Sequence, residues 1–295
     1  MTRPSILVNR QGASGDVLMT SPIVRKLHQD YNGECDIDFS VLPDCAAFVE
    51  GNPYIRTVLK TLPGADLIAK YDRYIDLDLV YERNPRIHAV DAYALEAFGT
   101  TDFDRSLELF TTDADKEVGK TFSKFMDGNY VVLHQRRWAW PSRNINPEMW
   151  AKVVEKILDQ TSAYIVQIGQ THEPVFSGTD RLIDVRGQFS IPELKEVIGN
   201  AKLFMGVDSG PGHVASATDT DMILLFTSVR EEYRRPLRQR GNFIPIVPDI
   251  DCYGCHADNP PPCTTFICKR GDVECVNKFN PDAIAEQAIK LIKAQ

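Results

Sequence analysis

Short apolar runs alternate along the chain with longer segments of helical spacing. Residues 5–10 read as a first strand, residues 11–16 as a glycine-rich turn and residues 17–27 as a helix. Residues 36–42 alternate apolar and polar side chains, the mark of a strand. Residues 57–60, 74–79 and 107–110 predict further strands, and residues 46–50 a short helix ending at Gly51. In residues 89–98 the positions Val90, Tyr93, Ala94 and Ala97 share one helical face, and Gly99 supplies the stop. A charged helix is expected over 113–127. The pattern then restarts with a strand at 130–134. Pro147 opens a helix to Gln160, a strand follows over 164–168 and a helix over 191–200. Strands are expected at 203–207, 222–226 and 243–247, and a last amphipathic helix over 281–293 carries Ile284, Ala288, Leu291 and Ile292.

This alternation predicts an α/β chain with parallel sheets. The restart places a boundary near residues 111–129. The expected units are residues 1–125 and residues 126–295, the second holding a cysteine-rich loop at 252–275 and the terminal helix. A length of 295 residues suits two domains. Apolar residues make up 43% and charged residues 25%, ordinary for a globular chain. No run approaches the roughly 20 apolar residues that span a bilayer. The start, Met-Thr-Arg-Pro and then a strand-like run, does not read as a signal peptide, so a cytoplasmic protein is expected. Lys and Arg total 33 against 41 Asp and Glu, a net charge of −8, which disfavours nonspecific nucleic-acid binding.

Two turns carry the chemistry. The run Asp208-Ser209-Gly210-Pro211-Gly212-His213 follows an apolar strand and precedes a helical stretch. A strand–turn–helix of this kind aims backbone N–H groups at an anion, and glycine lets the backbone approach a phosphate. A plain structural turn is the competing reading. The second turn, Gln11-Gly12-Ala13-Ser14-Gly15-Asp16, places a carboxylate at the carboxyl end of the first strand, where ligands of open α/β sheets sit. Asp16 could instead cap the following helix. Neither turn is a Walker sequence or a dinucleotide fingerprint, and no hydride partner is evident, which removes a Rossmann oxidoreductase.

Together these segments resemble glycosyltransferase family 9, the heptosyltransferase family. The resemblance runs through Ile6-Leu7-Val8, Gly15-Asp16-Val17-Leu18, Gly51-Asn52-Pro53-Tyr54-Ile55, Asp184-Val185-Arg186-Gly187 and Gly206-Val207-Asp208-Ser209-Gly210, in order and over nearly the whole chain. It implies the GT-B fold, two Rossmann-like domains facing a central cleft: an N-terminal acceptor domain and a C-terminal nucleotide-sugar donor domain. It implies transfer of a heptose-like sugar from a nucleoside diphosphate, ADP-heptose-like, to a saccharide such as lipopolysaccharide core, with no cofactor required for catalysis. Asp16 is then similar to the family's base. Asp208, Ser209, Gly210, Gly212 and His213 resemble its diphosphate cradle, His213 being alternatively a buried structural histidine. Arg143 stands near the family's lysine, or is a solvated surface arginine. Glu173 resembles the acidic residue that binds the donor ribose, against a plain helix-start carboxylate.

Several residues remain open on the sequence. The loop over 135–146 is basic, with Arg136 and Arg137 beside Arg143, and its Trp138 and Trp140 could stack on a base or sugar or pack beneath the loop. Arg83, Arg86 and His88 form a cluster that would meet anionic groups of an acceptor, or lie in a solvated loop. Of seven cysteines, Cys252, Cys255, Cys263, Cys268 and Cys275 crowd into residues 252–275. Their C-x₂-C start suits half of a structural iron or zinc site, remote from sugar transfer; free thiols are the alternative. Two other functions stay in view: the same chemistry on a protein or modified nucleic-acid acceptor, and a nucleotide-sugar-binding homologue without catalysis. Peripheral membrane contact is compatible with a lipid-linked acceptor.

Overall fold

The computed structural model describes residues 3–135, 140–238, 240–264 and 267–294. The first half runs β1 (Ser5–Asn9), α1 (Ser14–Leu18), α2 (Ser21–Asp30), β2 (Asp36–Ser40), a 3-10 turn (Pro43–Phe48), β3 (Thr57–Leu59), α3 (Ala65–Ile68), β4 (Arg73–Asp76), α4 (Val80–Arg83) and α5 (Ala89–Phe98). The second half runs α6 (Asp113–Phe125), β5 (Tyr130–His134), α7 (Pro147–Gln160), β6 (Tyr164–Gln167), β7 (Leu182–Asp184), α8 (Ile191–Gly199), β8 (Leu203–Val207), α9 (Gly210–Ser216), β9 (Asp221–Leu225), β10 (Phe243–Ile246) and α10 (Pro281–Lys293).

The strands form two sheets, ordered β3-β2-β1-β4 and β10-β9-β8-β5-β6-β7. Every pairing is parallel, with Ile6 opposite Ile37 in the first sheet and Val132 opposite Phe204 in the second. In each sheet the strand order reverses beside a central strand. The reversals fall between β1 and β4 and between β5 and β8, and crevices outside strand carboxyl ends open at such points.

The period of two decides which side chain meets which layer. In β5, Val131 and Leu133 pack in a cluster with Trp150 and Val153 of α7 and Ile284 and Ala288 of α10. Tyr130 and Val132 pack on the opposite face, in a cluster with Val197 and Ile198 of α8. That second cluster is continuous with Ile6, Val8 and Phe39 of the first sheet, so one apolar core joins the two halves. Both faces of β5 and β8 are buried, as parallel strands under helices require. Helix α6 packs on α8.

Three of the expected elements change in kind or break. The helix expected over 17–27 breaks at Met19 and Thr20: Pro22 sits in the first turn of α2, where its missing N–H costs nothing, and the Thr20 hydroxyl caps Val17 O at 2.7 Å. Residues 107–110 do bury Leu107 and Leu109 alternately, yet pair with no strand; the Glu108 N–H goes to Ser21 Oγ at 3.0 Å. The short helix expected at 46–50 is a 3-10 turn starting earlier, at Pro43.

Candidate active site

The first wall of the site grows from the end of β1. Arg10, next after that strand, is 1% exposed and donates to Glu82 Oε1 at 2.6 Å, to Asp16 Oδ2 at 2.9 Å and to Leu77 O at 3.3 Å. Asp16 Oδ2 also accepts from the Tyr81 hydroxyl at 2.9 Å and from Ala13 N at 3.2 Å. Asp16 therefore caps α1 and lines the cleft at once; the two readings of it are not alternatives. Three donors on Oδ2 fix the carboxylate's plane. Oδ1 takes no hydrogen bond among the described residues.

The second wall grows from the end of β8. Asp208 pairs with Arg143 at 3.0 Å and lies 3.6 Å from His213 Nε2. Ser209 Oγ meets His134 Nδ1 at 3.1 Å, and His134 Nε2 lies 3.4 Å from Glu173 Oε2. Glu173 also accepts from Gln170 N at 2.9 Å, in a loop and not at a helix start. Burial lowers the pKa of His213 below its ordinary value, against the raising effect of Asp208 and Asp16. Arg143 stacks over the Trp140 ring, 4.5 Å from its centroid.

The walls meet through two helix starts. A Cβ on Gly15 of α1 would collide with the His213 ring of α9, so this contact demands glycine. Above it opens a cleft of about 900 Å³, within the usual range for small-molecule sites. Asp16, Arg143, Glu173, Asp208, Ser209, Gly210 and His213 all line it.

Other expected residues lie elsewhere. Gly212 is inside α9, and a Cβ there would meet Val207 O at 3.3 Å; the glycine lets the helix pack close on β8 and is not among the residues lining the cleft. Arg83 is exposed on α4, and Arg86 pairs with Asp258 at 2.9 Å. His88 is buried: its Nδ1 caps α5 by accepting from Val90 N at 3.2 Å, and its Nε2 meets Arg235 O at 2.9 Å. Both ring nitrogens of His88 meet backbone groups. None of these three lines the cleft. Arg136, Arg137 and Trp138 lie outside the described residues.

The sequence reading missed Arg10, Tyr81, Glu82, His134 and Arg234, all of which line the cleft. Arg10 and His134 left a faint signal, a polar residue ending an apolar strand beside a candidate turn. Tyr81 and Glu82 sit on a single-turn helix with no periodicity to reveal it.

The cysteine cluster divides. Burial raises the Cys255 thiol, and Cys252 and Cys268 raise it further; burial and Cys255, Cys252 and Cys268 push Cys275 up to about 12. The four thiols thus feel one another's charge within one loop. Backbone N–H groups of Arg270, Gly271 and Val273 act to lower the pKa of Cys268 against its burial. All are free thiols, and among the described residues no group of three or more His, Cys, Asp or Glu is spaced to hold a metal ion. Cys263 stands apart: its Sγ donates to Asn259 O at 3.2 Å, its N–H to Glu82 O at 2.8 Å, and it lines the cleft. The loop is thus not remote from the site.

A family model described as glycosyltransferase family 9 (heptosyltransferase) matches residues 81–256, more than half of the chain. The chain belongs to glycosyltransferase family 9. This family 9 chain is 41% identical over 151 residues to lipopolysaccharide heptosyltransferase 3 of Escherichia coli K12; the match covers 48% of the chain and 44% of that relative's length. Its fold is similar to that of a family 9 glycosyl transferase from Veillonella parvula, at a TM-score of 0.77 and 14% identity, over 100% of this chain and 99% of the other. It is also similar to TibC of enterotoxigenic E. coli, an iron-containing dodecameric heptosyltransferase solved with ADP-D-β-D-heptose, at a TM-score of 0.73 and 13% identity, over 99% and 77% of the two chains. The GT-B architecture of the family 9 chain follows. No helix among its described residues is long and apolar enough to cross a membrane.

Proposed function

We propose that this chain transfers a heptose-like sugar from a nucleoside diphosphate, ADP-heptose-like, to a saccharide acceptor of the lipopolysaccharide-core kind. The observation that carries the reading is the placement of Asp16 and Ser209–Gly210 at the switch points of two sheets, on opposing walls of one cleft. Family membership supports it, as do the ADP-heptose bound by TibC and the lipopolysaccharide named for the E. coli relative.

In this reading residues 1–125 present the acceptor and residues 126–295 hold the donor. Asp16 Oδ1 takes the proton of an acceptor hydroxyl, whose oxygen bonds to the anomeric carbon. The bond from that carbon to the diphosphate breaks, and its electron pair stays on the phosphate. Backbone N–H groups at Ser209 and Gly210, with Arg143, meet the diphosphate; preorganised donors of this kind stabilise charge as it develops. Glu173 binds the donor ribose. Catalysis then needs no cofactor. An iron or zinc ion on Cys252, Cys255, Cys268 and Cys275 would be structural, closing the loop over residues 252–275. The protein works in the cytoplasm, with peripheral contact to the membrane that carries its acceptor.

A panel of nucleoside diphosphates in a thermal-unfolding assay tests the donor half, since a ligand bound only by the folded state raises Tm. One diphosphate should stand out, ADP first. A flat panel would defeat the proposal.

A further inference from the structure

Among the described residues three guanidinium groups line the cleft: Arg10, Arg143 and Arg234. Arg10 is paired with Glu82 and Asp16, and Arg143 with Asp208. Arg234 differs. It is 6% exposed and makes no ion pair among the described residues; its one hydrogen bond there runs from Nη1 to Tyr233 O at 2.7 Å. Its guanidinium lies over the Tyr81 ring, 4.1 Å from the centroid. Burial pulls its pKa down, but Tyr81, Asp208 and Asp16 together raise it above the ordinary value, so the group stays charged.

A buried cation with unspent donors, at a cleft wall, is a site for an anion. The fork of an arginine matches two oxygens of a phosphate. Arg234 follows β9 in the second half but leans onto Tyr81 of the first, the residue bonded to Asp16. It lies within the field of Asp208, the neighbour of Ser209. That position falls between the diphosphate cradle and the base, where the phosphate carrying the sugar must lie.

We propose that Arg234 binds the sugar-bearing phosphate of the donor and takes up the charge left on it when the bond to the sugar breaks. The assignment rests on the sugar-transfer reading. It adds a residue that neither turn motif contains and that the basic run from Arg230 to Arg240 disguises as a solvated surface.

The test is calorimetric titration of ADP, UDP, GDP and CDP, each against its monophosphate, into the wild type, Arg234→Gln and Arg234→Lys, with Tm as a folding control. Arg234→Gln should weaken the preferred diphosphate by about 10- to 100-fold and leave the monophosphate within about twofold. Arg234→Lys keeps the charge without the fork and should fall between; if the Gln variant does not fold, the Lys variant carries the comparison. A folded variant with wild-type diphosphate affinity overturns the assignment, and if the acceptor's KM alone rises, Arg234 holds an acceptor anion instead. A wild type that prefers no diphosphate over its monophosphate sinks the sugar-transfer reading itself, and this assignment with it.

Discussion

The Tyr81 hydroxyl donates to Asp16 Oδ2 at 2.9 Å, tying a single-turn helix to the carboxylate at the end of β1. Tyr81→Phe removes that donor and keeps the ring. Asp16 Oδ2 would retain Arg10 and Ala13, so turnover should fall modestly, about tenfold, with nucleotide affinity unchanged. Steady-state kinetics beside a binding titration separates the two effects.

Asp16→Asn removes the proposed base and nearly conserves shape. Turnover should drop by about 10² to 10⁴ while donor binding survives, the usual scale of general-base catalysis. Because Asp16 also caps α1 through Ala13 N, thermal unfolding must accompany the assay. An equal fall in nucleotide affinity and turnover would assign Asp16 to structure.

Gly210 offers a clean probe of the phosphate cradle. A Cβ there meets only Ser14 Cβ, at 3.9 Å, an ordinary contact. Gly210→Val should therefore fold with a Tm near that of the wild type, yet keep the backbone from approaching a phosphate. Unchanged diphosphate affinity in calorimetry would move the cradle elsewhere.

The histidines predict a pH response. Burial lowers His88 and His256 to about 4, from 6.5 when unburied. Between about pH 6.5 and 4 each imidazole binds a proton in the unfolded chain but not in the folded one. Stability is then full above that window and falls as pH drops through it, by up to about 1.4 kcal/mol per pH unit for each group. His88→Asn can still cap α5 and should flatten a plot of Tm against pH; a parallel plot would exclude His88 as a source.

If the proposed structural metal is bound, freshly purified protein carries about one equivalent of iron plus zinc per chain. Cys255→Ser should lose the metal, whereas Cys263→Ser, whose thiol donates to Asn259 O, should keep it. Elemental analysis with thiol titration decides; metal-free protein with all its thiols reactive in the folded state would leave free cysteines.

The fold was legible in the sequence because parallel strands buried on both faces need continuous apolar runs. Leu203–Val207 is such a run, and so is Tyr130–His134. Pro147 and Pro281 mark helix starts as directly. Three-residue β7 and the four-residue α3 and α4 are too short to show a period. The site was legible where one turn gathers its residues, as at Asp16 and at Asp208–Gly210. It was not where partners meet only through tertiary folding: Arg10 and Glu82 are separated by 72 positions, and Arg234 and Tyr81, in contact, come from opposite halves of the chain. His88 was grouped with Arg83 and Arg86 because an imidazole just after an arginine looks the same in sequence whether it faces a ligand or caps a helix.

The contact between Gly15 and His213 sets the working distance of the site. Each belongs to the helix that starts just after a candidate reacting turn, and no side chain stands between them. At their base the two walls are joined at that point. Asp16 and Ser209 are thus held apart by a spacing that the absence of a side chain at Gly15 sets.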